Sequence, residues 1–150
     1  MEIRKGLGAG LVAGVVMGIS LFIVGACAAR AIYGPQFAPP GKFEPEKINA
    51  WYFLWTKLAI GIFFGVFFGL IYAWLTPLRW RQCALGGFYY GFWLWLVITL
   101  WDVSHPLVYG PMNIQHQIFW LIYTLGGFLA YGTALGYVYK KLGDPQCAAK

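Results

Sequence analysis

The residues best able to do chemistry lie in one short polar stretch near the middle of an apolar chain. Asp102 and His105 are one helical turn apart, and His116 follows after a segment with two prolines. Two histidines and a carboxylate, helped by an acidic residue of the loop at 33–50, form a donor set that Zn²⁺ or Cu²⁺ accepts. The spacing matches no strong metal motif. The stretch is therefore a candidate ligand site, with its metal unassigned.

The same stretch also suits an organic ligand. His105 or His116 could hold a quinone headgroup against the ring of Trp101 or Trp120, and haem ligation is a further use. The plainer interpretation is that an interfacial histidine is a hydrogen-bonding neighbour of lipid headgroups. We predict no cofactor, while contact with quinone, pigment or haem stays open.

Other catalytic patterns are missing from the sequence. It has no Ser–His–Asp or Cys–His arrangement and no phosphate-binding loop, and its cysteines at 27, 83 and 147 are scattered. The chain is therefore expected not to be an enzyme.

The elements that must position these residues are predicted from long apolar runs. Hydrophobic residues make up 60% of the chain and charged residues 11%, against roughly 25% charged in an average soluble domain. A hydrocarbon core of ~30 Å needs ~20 helical residues. Four such spans fit, at about 6–32, 52–77, 82–102 and 116–140, and they leave no room for a soluble domain. We therefore predict one domain, 1–150, that is an all-α membrane four-helix bundle of two hairpins.

The basic residues predict the orientation of this bundle. Four spans place both termini and the turn at 79–81 on one side of the membrane, and that side holds most of the eleven Lys and Arg residues. Cytoplasmic loops carry such an excess. We therefore expect a multi-pass protein of the bacterial inner membrane with both termini in the cytoplasm. Its net charge of +6 is spread without a clustered basic face, which argues against nucleic-acid binding.

Glycines recur at intervals of four along the predicted spans, a pattern (GxxxG) that lets membrane helices approach closely. The predicted helix-packing or docking positions are Gly6, Gly10, Gly14, Gly18, Gly61, Gly65, Gly69, Gly87, Gly91, Gly132 and Gly136. These stripes either close the bundle on itself or dock onto a larger membrane complex. A slot for pigment or quinone between the phenylalanines of span 2 is a third alternative.

The two hairpins also show signs of a parallel internal duplication. Gly6, Gly10 and Gly14 of span 1 correspond to Cys83, Gly87 and Gly91 of span 3. Gly65, Gly69, Tyr72 and Leu75 of span 2 correspond to Gly132, Gly136, Tyr139 and Leu142 of span 4.

Several blocks of the chain resemble a family of uncharacterised small four-helix membrane proteins of bacteria. They are the run GLVAGVVMGI at 10–19, the segments 61–65 and 75–78, the Gly86-Gly87 to Trp95 block, the Pro106 to Gly110 segment, and 132–139. The resemblance implies the four-span architecture. It brings no established activity and no catalytic residues.

These features together favour a non-catalytic role. Lys57 is one turn inside the outer end of span 2, where it can snorkel outward, and no span has an Asp, Glu, Lys, Arg or His near its centre. We therefore expect an accessory or scaffold subunit that packs against a larger membrane complex, such as a respiratory or photosynthetic one. The alternatives are a homo-oligomeric transport or channel component and a quinone- or metal-binding protein of the outer face. The expected partners are membrane lipids and other integral membrane subunits, or further copies of the chain.

Overall fold

The structure, a computed structural model, describes residues 3–34, 50–75, 84–109 and 114–142, with the backbone alone at 50, 53 and 101–109. Every element in these ranges is an α-helix. The helices are α1 (Ile3–Tyr33), α2 (Ala50–Leu75), α3 (Ala84–Tyr109) and α4 (Ile114–Lys141). The prediction of an all-α chain with four helices is confirmed.

The helix ends agree closely with the predicted spans except at the end of α3. This helix was expected to end at residue 102, before a loop that contains Pro106, but it continues to Tyr109. Proline removes one backbone N–H donor and usually bends or ends a helix. Here the helix continues through Pro106, so residue 102, where the predicted span ends, is not the end of the helix.

Three of the described helices are long and apolar enough to cross a membrane: Ile3–Tyr33, Leu54–Leu75 and Ile114–Lys141. The fourth, α3, contributes a shorter apolar segment, Ala84–Leu100. The whole of α3 has 26 residues, which corresponds to about 39 Å at ~1.5 Å per residue. Its backbone length is therefore sufficient for a span.

The N-terminal hairpin closes along its glycines. A Cβ built on Gly10 would stand 2.5 Å from the carbonyl oxygen of Gly65 and 3.1 Å from the Cα of Gly69. A Cβ on Gly14 would meet the carbonyl oxygen of Gly61 at 2.5 Å. Since real Cβ atoms do not come this close to backbone, α1 and α2 can approach to this distance only at glycine.

The C-terminal hairpin closes in the same register. A Cβ on Gly87 would meet the carbonyl oxygen of Gly132 and the Cα of Gly136, just as one on Gly10 meets its two partners on α2. A Cβ on Gly91 would meet the carbonyl oxygen of Phe128, the position that corresponds to Gly61. The hairpins thus share one pattern of backbone contact, as the correspondences noted in the sequence require.

A different kind of packing joins the hairpins to each other. The Leu21 side chain of α1 fills the space beside Gly127 of α4, and Val24 fills the space beside Gly126. Ser20 adds a hydrogen bond from its Oγ to the Gly126 carbonyl oxygen, at 3.2 Å. Here side chains of one helix meet glycines of the other, whereas within each hairpin backbone meets backbone.

Aromatic rings fill the centre of the bundle. The largest fully buried side chains are Tyr72, Tyr131, Tyr139 and Leu135. The Tyr131 hydroxyl donates to the carbonyl oxygen of Gly65 at 3.0 Å, and the Tyr90 hydroxyl donates to that of Phe68 at 2.9 Å. Tyr90 thus joins α3 to α2, through this hydrogen bond and through a ring contact with Tyr72 whose centroids are 5.0 Å apart.

Candidate functional site

The predicted docking glycines lie inside the hairpins. Gly18 faces the backbone of Leu58, and Gly6 faces Ala73 and the carbonyl oxygen of Gly69. The rest are paired across one of the two hairpin contacts, Gly10 and Gly14 with Gly61, Gly65 and Gly69, and Gly87 and Gly91 with Gly132 and Gly136. Because these faces are filled by the chain's own backbone, a partner would have to bind elsewhere on the surface.

His116 is the one member of the predicted ligand site whose side chain the structure describes. The indole Nε1 of Trp120 donates to His116 Nε2 at 2.7 Å, and the Tyr33 hydroxyl lies 3.3 Å from His116 Nδ1. Indole N–H only donates, so Nε2 accepts, and in a neutral imidazole the proton is then on Nδ1. His116 thus joins the end of α1 to the start of α4, and both of its nitrogens have a protein partner.

The other two members are placed by their backbone alone. Asp102 and His105 lie on continuous α3 helix, and positions three residues apart share one face of a helix. Their side chains lie outside the described residues, as do Glu44 and Glu46. Among the side chains that are described, no group of three His, Cys, Asp or Glu residues could hold a metal ion. The metal or quinone site stays a prediction.

A cationic side chain near this end of the bundle turns inward. The sequence allows the Lys57 ammonium to snorkel outward; in the structure its Nζ lies over the ring of Tyr123, 5.1 Å from the ring centroid. Cations are attracted to aromatic faces at such distances. The interaction ties α2 to α4.

Tyr123 is the centre of a cluster that the sequence analysis missed. Its buried ring packs against Gly25 of α1, stacks on Phe119 with centroids 5.6 Å apart, and meets the edge of Trp120 at 5.4 Å. Lys57 over one face and His116 beyond Trp120 complete a contiguous group from three helices. The spacing of aromatics at 116, 119, 120 and 123 was the available signal, since these positions share one helical face.

The outward faces of the helices carry large apolar side chains. On α2, Phe63 is 71% exposed and Phe67 is 54% exposed, and the two lie one turn apart. On α1 the corresponding surface is aliphatic, with Val12, Ile19 and Ile23 exposed. These faces, rather than the interior, are where the chain can meet other molecules.

Comparisons of this chain with protein-family models, with curated proteins and with solved structures find no match. What the chain does is therefore inferred from its own residues.

Proposed function

We propose that this chain is a non-catalytic accessory or scaffold subunit of the bacterial inner membrane, which packs against a larger membrane assembly. Both termini are taken to be cytoplasmic, on the strength of the basic residues at the two ends of the chain. The observation that carries the proposal is the filled interior of the bundle.

The close packing of the described interior argues against a transport path through the bundle. The centre is occupied by close-packed rings, with Tyr72, Tyr131 and Tyr139 at 0% exposure. Transporters and pumps normally have ionisable groups or broken helices along such a path. Of the charged side chains that the structure describes, Lys57 alone is more than one turn from a helix end, and it contacts an aromatic ring.

The surface supports a membrane location. Exposed large hydrophobic side chains occur along all four helices; among them are Leu7, Ile23, Phe63, Trp74, Trp93, Leu100 and Ile122. Soluble monomers rarely expose apolar patches beyond a few hundred Å². Lipid or protein must therefore cover this surface, and a bilayer covers it on every side.

A docking role is supported by the outer surface of the helices, which has no partner within the described chain. The glycine contacts are used within the hairpins, and the two ring nitrogens of His116 contact Tyr33 of α1 and Trp120 of α4. What is left is an outer surface of aromatic and aliphatic side chains. Such a surface can bind membrane helices and lipids.

The proposal is tested by isolating the chain from native membranes in mild detergent. We expect a second integral membrane protein to co-migrate at near-stoichiometric yield, and deletion of the chain to lower the yield of that assembly. A matched preparation from cells that lack the tag controls for adventitious capture. Migration as a lone species would contradict the proposal. So would a symmetric homo-oligomer that conducts a solute in liposomes, because that outcome is the channel alternative.

A further inference from the structure

The outward face of α3 differs from the equivalent face of α1. Since Gly10 corresponds to Gly87 in the hairpin contacts, Val12 and Val16 correspond to Tyr89 and Trp93. All four of these side chains are exposed or close to it, with Val16 at 36% and Trp93 at 60%. At one level of the bundle, α1 thus presents aliphatic groups and α3 presents groups that form hydrogen bonds.

Trp93 lies near the middle of the bundle's height. Its neighbour Gly91 packs on the carbonyl of Phe128, and Trp95 donates to the Thr124 hydroxyl at 3.2 Å. Phe128 is the fifteenth of the 28 residues of α4. If α4 spans a bilayer, the Trp93 indole therefore lies close to the bilayer centre.

This position is unusual for a tryptophan. Exposed tryptophans in membrane proteins favour the interface, where the indole N–H reaches water or headgroups. The other exposed tryptophan side chains that the structure describes follow this rule and lie within two turns of a helix end; they are Trp51, Trp55, Trp74 and Trp120. Trp93 is exposed and central.

The indole N–H of Trp93 meets no acceptor among the described residues. The indoles of Trp95 and Trp120 donate to Thr124 and His116, whereas the Trp93 indole has no hydrogen-bond partner in the part of the chain that the structure describes. Acyl chains at this depth offer no acceptor, and an unpaired polar group in hydrocarbon is costly. Because none of the described residues supplies the acceptor, we look for it in a neighbouring molecule that is not an acyl chain.

A second copy of the chain in a symmetric dimer does not place an acceptor opposite the Trp93 indole. Two copies inserted in the same orientation and related by a two-fold axis along the membrane normal bring residues of equal depth together. Trp93 would then face Trp93, and indole only donates. The exposed hydroxyl of Tyr89 is one turn away, about 6 Å along the helix axis.

We propose that the α3 face formed by Tyr89, Trp93 and Val97 binds a transmembrane helix of a different subunit. That helix presents a hydroxyl, amide or free carbonyl oxygen at the level of Trp93, and the indole N–H donates to it. Polar groups act between membrane helices in this way. The inference rests on the proposed function and names the surface through which it is carried out.

The test places a photo-crosslinking residue at Val97, which is 63% exposed, in the full-length chain in native membranes. We expect one discrete adduct with another membrane protein. Trp93→Phe keeps an aromatic ring but removes the donor, and should reduce the yield of this adduct about three- to tenfold, the effect of one interhelical hydrogen bond. A crosslinker at Val12 of α1 should capture lipid alone.

Two controls make the result specific. Trp74→Phe removes an exposed indole N–H near a helix end and should leave the adduct yield unchanged. Unfolding of the Trp93→Phe variant should match that of the unsubstituted chain, so that a lost adduct reports lost binding.

Three outcomes would overturn the inference: an adduct insensitive to Trp93→Phe, an adduct of two differently tagged copies of this chain, or lipid capture alone at Val97. If the chain still co-migrates with another membrane protein in these cases, the docking surface is wrong and the proposed function stands. If nothing co-migrates, the proposed function fails as well.

Discussion

Two glycines of α1, separated by less than one turn, have opposite surroundings. A Cβ on Gly10 would be 2.5 Å from a backbone oxygen of α2, whereas one on Gly8 would meet nothing within 4 Å. Glycine is therefore required by packing at the first position and is not required at the second. The repeated spacing of glycines in the sequence does not separate these two cases.

We expect Gly10→Ala to lower the free energy of unfolding by about 1–3 kcal/mol, because α1 and α2 must move apart to admit the methyl group. Gly8→Ala should leave it unchanged or raise it by up to about 1 kcal/mol, since alanine is the better helix residue. Equilibrium unfolding in mixed detergent micelles measures both. Equal losses in the two variants would show that Gly10 is not at a close contact.

At the scale of the helices, the two kinds of contact should respond differently to the same substitution. A Cβ on Gly132 of α4 would meet backbone atoms of Gly87 and Gly91. A Cβ on Gly127 of the same helix would meet the side chain of Leu21, with Cδ2 at 2.5 Å. A leucine side chain can rotate away, but a helix backbone cannot.

Gly132→Ala should therefore cost about 1–3 kcal/mol of unfolding free energy, and Gly127→Ala should cost less than that. Both substitutions add one methyl group to one helix, so each controls for the helix propensity of the other. The same micelle titration decides the order. A larger loss at Gly127 would mean that the contact between α1 and α4, and not the hairpin, is the rigid one.

The sequence predicts the helices and the hairpin contacts well, because both depend on local spacing. Glycines at every fourth residue indicate which helix faces can approach closely, and Gly65 and Gly132 lie on those faces. The sequence predicts poorly the side-chain contacts that depend on which helix packs against a given face. The inward turn of Lys57 needs the ring of Tyr123, which is 66 positions away in the chain. Likewise, a proline at 106 favours a helix end, whereas the backbone of α3 is helical through it.

The candidate site divides in the same way. His116 could be selected by residue type, and its pairing with Trp120, four residues on, follows the helical period, but its contact with Tyr33 requires the start of α4 to meet the end of α1. No periodicity within either helix specifies that meeting. A metal prediction built on residue type alone did not anticipate that these two aromatic residues engage both nitrogens.

For the whole molecule, the direction of the helices fixes where the termini lie. Each contacting pair of helices is antiparallel, because residue numbers rise along one helix as they fall along the other. The contacts that show this are Gly10 with Gly65 and Gly14 with Gly61, Leu21 with Gly127 and Gly25 with Tyr123, and Gly87 with Gly132 and Gly91 with Phe128. Successive helices therefore alternate in direction. The start of α1 and the end of α4 lie at the same end of the bundle.

A chain that crosses the membrane with only its three most apolar helices would instead separate its termini. We expect fusions at the two ends to agree: a fluorescent reporter that matures only in the cytoplasm should be active at either terminus, and a phosphatase that needs the periplasm should be inactive at both. A phosphatase inserted between residues 35 and 49, which the four-span topology places outside the cytoplasm, should be active and serves as the matched control. Opposite results at the two termini would show that α3 does not span. The membrane-centre position assigned to Trp93 would then be lost, because that position depends on α3 lying alongside α4 across the bilayer.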